Sequence, residues 1–161
     1  MRRAATLLIL SPLILFADSW VKFTRGPFEV LSEAGPKPGR ETMVRLEQFR
    51  HSLGQILGEP DLQTPLPVRV FVFKNAGSWT TPTPVSEGRD RYSIVLDEKS
   101  AISPEIYRAL TRLFLQSNSA QMPPAFEVGL IEFFSTFDVK GIRITAGTNL
   151  AKPCLYLLYI G

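Results

Sequence analysis

Ser103-Pro104-Glu105-Ile106-Tyr107-Arg108-Ala109-Leu110-Thr111-Arg112-Leu113-Phe114 is the stretch from which the fold of this chain is read. A hydroxyl at the cap position, a proline in the first turn and an acid near the positive end of the dipole together start a helix. Ile106, Leu110, Leu113 and Phe114 recur at helical spacing, so the helix runs to about Gln116 with these residues as its apolar stripe. Arg108 and Arg112 stand one turn apart and share a face.

Working upstream, Tyr92 to Leu96 and Val68 to Phe73 are β-branched and aromatic runs without internal breakers, which read as strands. Residues 75–88 between them are rich in Gly, Pro, Ser and Thr and read as a loop. Met43, Leu46, Phe49, Leu53, Ile56 and Leu57 predict a helix from about Glu41 to Leu57, closed by Gly58 and Pro60. Before it lie a loop at 35–39 and a short strand at Phe28 to Leu31. Downstream, Pro123-Pro124 opens a further helix with Phe126, Leu130, Phe133 and Phe134 on one side. Residues 138–145 read as a hairpin around Lys140-Gly141. Strands mixed with helices, without regular βαβ alternation, predict an α+β fold.

The chain has 161 residues, 45% of them hydrophobic and 20% charged, a balance that suits one globular core. Setting aside Arg2 and Arg3 leaves 16 basic residues against 15 acidic, so no nucleic-acid or polybasic membrane surface is expected. Cys154 is the only cysteine, which excludes an intramolecular disulfide and a thiolate metal cluster. His51 is the only histidine, so one chain cannot supply a two-His zinc site.

Arg2 and Arg3, the apolar run Ala4 to Phe16 and the small residue Ala17 read as a secretory signal over 1–17. The chain is therefore expected to be exported, to the periplasm or the outside. An uncleaved anchor or a buried strand is the alternative reading, and the anchor is the only membrane contact expected. Three segments follow: the signal at 1–17, a domain at 18–147 and an unassigned apolar tail at 148–161.

Ile106 to Phe114 and Met122 to Phe137 resemble the two zinc-site helices of gluzincin metallopeptidases. More narrowly, they resemble the exported bacterial peptidase MA-like domains. Trp20 to Ala34 and Val68 to Phe73 are similar to that family's opening and inner strands. The resemblance implies a small mixed sheet packed against helices, as in the thermolysin-like catalytic domain. It also implies a carboxyl end shortened relative to family members, which continue into further helices. Phe133 and Phe134 would then be partly exposed.

In such domains two His one turn apart and a Glu on the next helix hold zinc, and a Glu after the first His is the general base. The resemblance places Arg108 and Arg112 at the two His positions, Ala109 at the base and Val128 at the third ligand. Glu127 stands at the preceding Asn position. Arg has no lone pair to give a metal near neutral pH. The resemblance thus implies a pseudopeptidase with no catalytic residue, metal or cofactor. Gly129, Leu130, Glu132 and Phe133 keep the scaffold pattern. Glu132 is the remnant of a supporting acid and is expected to face Arg108 or Arg112. A solvated helix face is the other reading of the two arginines.

The implied role is a peptide-binding or structural module of the cell envelope, with an extended peptide or an envelope protein as partner. By order, Tyr92 to Leu96 matches the strand along which the family's peptides lie. The alternatives are a hydrolase with an unrecognised site, or a truncated product without selected activity. His51, beside Arg50 and near Glu47, has no accompanying nucleophile motif and reads as an exposed histidine. Glu127 and Glu132 are five apart and do not form a facing pair. Cys154 reads as a small hydrophobe, and Trp79 as a packed loop anchor.

Overall fold

The computed structural model describes residues 20–77, 83–118, 122–141 and 143–148. The signal at 1–17, Trp79 and Cys154 with its apolar tail lie outside the described residues. The fold is α+β, with a five-stranded mixed sheet and three helices among the described residues.

The chain enters through a hairpin. β1 (Val21–Arg25) pairs antiparallel with β2 (Phe28–Ser32), and Gly26 turns between them at φ 50. β1 was not foreseen as a separate strand. Three of its five residues are exposed and its side chains are mixed, so its burial signal is weak.

α1 (Pro36–Leu57) follows and begins five residues before the expected Glu41. Pro36 and Pro38, read from sequence as loop formers, sit in its first turn. There the backbone N–H groups have no acceptor in any helix, so proline costs nothing. Gly39 lets this end lie flat on the sheet, since a Cβ there would stand 2.7 Å from the Phe23 ring.

β3 (Val68–Phe73) runs parallel to β2 on one side and to β5 (Tyr92–Asp97) on the other. Val70 faces Val30 across one ladder and Ile94 across the other. The two-residue β4 (Ser86–Glu87) lies antiparallel to β5, within the stretch expected to be loop, and completes the order β1-β2-β3-β5-β4. Burial alternates strictly along β3 and β5. Val68, Val70, Val72, Tyr92, Ile94 and Leu96 point into the core.

That face meets all three helices. α2 (Pro104–Asn118) contributes Ile106, Tyr107, Leu110 and Phe114, and α3 (Pro124–Ser135) contributes Leu130, Ile131 and Phe134. Phe49 of α1 is the hub, with Tyr107, Phe114, Phe134 and Phe137 rings at 5.1, 6.4, 5.7 and 5.4 Å. On the other face Trp20 stands edge-on to Phe71 and Phe73, and Glu29 binds Arg69 and Lys22.

A small hairpin, β6 (Asp138–Lys140) and β7 (Arg143–Thr145), follows α3 as expected. Two expectations about α3 are corrected. Phe134 is fully buried, although Phe133 is half-buried as expected, and Phe126 turns outward with Val128, at 56% and 61% exposure. The helix is apolar on nearly every side, so spacing alone does not choose the inward face. Leu130, Ile131 and Phe134 take it. No described helix is long and apolar enough to cross a membrane.

Candidate functional site

α2 and α3 pack side by side, and one ion pair ties their outward faces. Arg108 donates from Nε to Glu132 Oε1 at 3.0 Å and from Nη2 to Oε2 at 3.1 Å. This is the two-pronged geometry that a guanidinium and a carboxylate favour. Glu105, one turn before Arg108, adds a longer contact at 3.5 Å. The Glu132 hydrogen bond raises the Arg108 pKa above its ordinary value, so this group stays charged. Backbone N–H and Ser103 hydroxyl donors at the helix start lower that of Glu105.

The expected meeting of Glu132 with one of the two arginines is thus present, and its setting is informative. The side chains of Arg108 and Glu132 are 36% and 44% exposed. The pair closes the seam between α2 and α3 at the surface, outside any sealed cavity. Glu132 would therefore not be a buried, costly charge without it.

The other positions singled out by the resemblance do not converge here. Arg112 is exposed and makes no ion pair with a described residue. Val128 is exposed, and Ala109 is half-buried and carries no polar group. A zinc ion does not fit these residues: one guanidinium is committed to Glu132 and the third ligand position is aliphatic. Among the described residues no three His, Cys, Asp or Glu side chains cluster as metal ligands would.

His51 is exposed on α1, and its neighbour Glu47 is engaged elsewhere. Arg50 grips Glu47 through Nε at 3.1 Å and Nη2 at 3.0 Å, and Asp61 and the Leu62 carbonyl through Nη1 at 2.7 and 3.1 Å. Arg25 reaches Glu47 from β1 at 3.4 Å. Burial works against the Arg50 charge, but the Glu47 and Asp61 carboxylates overcome it and raise its pKa.

Two features were not foreseen from sequence. Tyr107 is buried beneath α2, and burial pushes its phenol up to about 12. It stays protonated near neutral pH. A groove of about 410 Å³ runs between the first half of α1 and the end of β5, with Arg40, Glu41, Arg45, Asp97 and Glu98 on its walls. The Asp97 carboxylate is already held by the backbone N–H groups of Ala76 and Lys99, each at 2.9 Å, which lower its pKa.

The outer edge of β5 is a further open feature among the described residues. Tyr92 and Glu98 turn their N–H groups toward β3, so Ser93, Val95 and Asp97 turn theirs outward. β4 covers Ser93 only. Continuing that register would bring Pro84 opposite Val95, and Pro84 has no N–H to offer. Among the described residues, none bonds the Val95 backbone on this side. No family model, curated protein or solved structure matches the chain.

Proposed function

We propose that this chain is an exported, non-catalytic binding module that takes an extended peptide along the outer edge of β5. The outward N–H and C=O of Val95 carry the proposal. An edge that ends its pairing part-way offers main-chain hydrogen bonds to an added strand. The resemblance to peptidase MA-like domains supports a peptide as the occupant. The residues at the expected zinc positions support binding without hydrolysis, since Arg108 is bound to Glu132 and Val128 has no donor atom.

The test is titration calorimetry of the dialysed chain with zinc and then with a library of extended peptides. The expected result is no zinc binding above that of an unrelated protein, and peptide binding that Val95→Pro abolishes. Proline is tolerated where the lost N–H faces solvent, so the variant should stay folded by circular dichroism. Stoichiometric zinc uptake would sink the non-catalytic reading. Peptide binding undiminished in Val95→Pro would sink the edge.

A further inference from the structure

We propose that the groove between α1 and the end of β5 binds a small zwitterion, a molecule carrying both a carboxylate and an ammonium group. A free amino acid and a dipeptide share that chemistry. β2, β3 and β5 are parallel, so their carboxyl ends open on the same side of the sheet. That is where ligands sit in open parallel sheets. The groove lies at this end, with Leu96, Asp97 and Glu98 on one wall and Arg40, Arg45 and Gln48 of α1 on the other. Its volume of about 410 Å³ has room for such a molecule.

The two walls differ in charge and do not neutralise each other. The α1 wall carries Arg40 and Arg45 against Glu41, and the facing wall carries Asp97 and Glu98. Among the described residues no ion pair joins these arginines to any of the three acids. Arg45 is half-buried, yet its N–H donors have no acceptor among the described residues. A charge covered without a partner is costly, and a carboxylate matches this fork. The side-chain amide of Gln48, one turn further on, is also free. Tyr107 adds a donor. It is 2% exposed, and its hydroxyl has no hydrogen-bond partner among the described residues. None of their fully covered side-chain oxygens is unpartnered, so the tip of this hydroxyl reaches solvent. It does so where the charges of Arg45 and Asp138 both act on it. On the facing wall Asp97 is preset to accept an ammonium. The Ala76 and Lys99 N–H groups hold one oxygen each and leave each a free lone pair. Val44, Leu96, Ile102 and Val139 give the groove an apolar lining for a side chain. A simple anion would be repelled by the acids, whereas one molecule with both charges complements both walls.

The test is titration calorimetry of the full chain with leucine, dileucine, 4-methylpentanoate and 3-methylbutylamine. The last two keep the leucine skeleton and carry only the carboxylate or only the ammonium. Leucine or dileucine should bind at least about ten-fold more tightly than either single-charge compound, and the tighter of the two names the source. Arg45→Gln should weaken that binding at least about ten-fold. Arg89→Gln, which removes an exposed charge outside the groove, should leave it unchanged. A single-charge compound that binds as tightly as the zwitterions would overturn the proposal, as would no binding of any of the four. Undiminished binding in a folded Arg45→Gln would overturn it as well. Val95 does not line the groove, so failure of strand addition at the β5 edge would leave this expectation standing.

Discussion

Two arginines in this molecule make nearly the same two-pronged contact with a glutamate, yet they sit in different physical settings. Arg50 and Glu47 are 13% and 12% exposed, and the same guanidinium also holds Asp61 and the Leu62 carbonyl. Arg108 and Glu132 are 36% and 44% exposed and share only the distant Glu105. The first joins α1 to the segment that leads into β3. The second joins α2 to α3 at the surface. Geometry alone would rank them equal, but solvent ranks them far apart. Water screens the outer pair and would solvate either partner left alone, whereas Glu47 and the Leu62 carbonyl would lose a donor in a largely covered place, with the 3.4 Å contact of Arg25 left to Glu47.

The largest expected effect tests the inner clamp. Arg50→Ala should cost about 2–3 kcal/mol in urea unfolding, because Glu47 and the Leu62 carbonyl lose a charged donor in a largely covered place. A cost near zero would erase the contrast.

Glu29 on the other face of the sheet is intermediate. Its side chain is 18% exposed and binds Arg69 at 2.6 Å and Lys22 at 3.0 Å. The Arg69 hydrogen bond, then that of Lys22, lowers its pKa below the ordinary 4.5. The folded state therefore binds this proton less readily than the unfolded state. The stabilisation is complete above the unfolded value and fades as pH falls below it. Glu29→Gln should cost about 1 kcal/mol at neutral pH. The gap between variant and parent should narrow below about pH 4.5, in chemical unfolding followed across pH.

The smallest effect belongs to the outer clamp. Arg108→Ala should cost about 0.5 kcal/mol, and a double-mutant cycle with Glu132→Ala should return a coupling below about 1 kcal/mol. A coupling as large as that of Arg50 would mean that something covers the α2–α3 seam in solution.

What was legible in the sequence follows the same divide between strong and weak physical signals. α2 was readable because Ser103, Pro104 and Glu105 punctuate its start and its apolar residues keep to one stripe. β3 and β5 were readable as unbroken β-branched runs. The start of α1 was misplaced because Pro36, Pro38 and Gly39 are loop formers unless they fall in a first turn, and nothing local decides which. The inward face of α3 was misread at Phe126 because apolar residues surround that helix. β4 has two residues and exists only by pairing with β5. At the site, the meeting of Glu132 and Arg108 was anticipated from the resemblance alone, since residues 24 apart carry no periodic signal. The Arg50 grip on Asp61 was missed because it depends on how the chain turns after α1.

The position of β3 sets how this chain must assemble. Both of its neighbours are parallel, so neither can be joined to it by a tight turn. Residues 33–67 must be looped out to bring β2 beside β3, and residues 74–91 to bring β5. The entropy of both closures is lost before the ladders reward it. The β1–β2 hairpin and the helices can form early, while the centre of the sheet waits for distant segments to meet. Folding should therefore be slow for a domain of this size, with its speed limited by chain connectivity more than by any single contact.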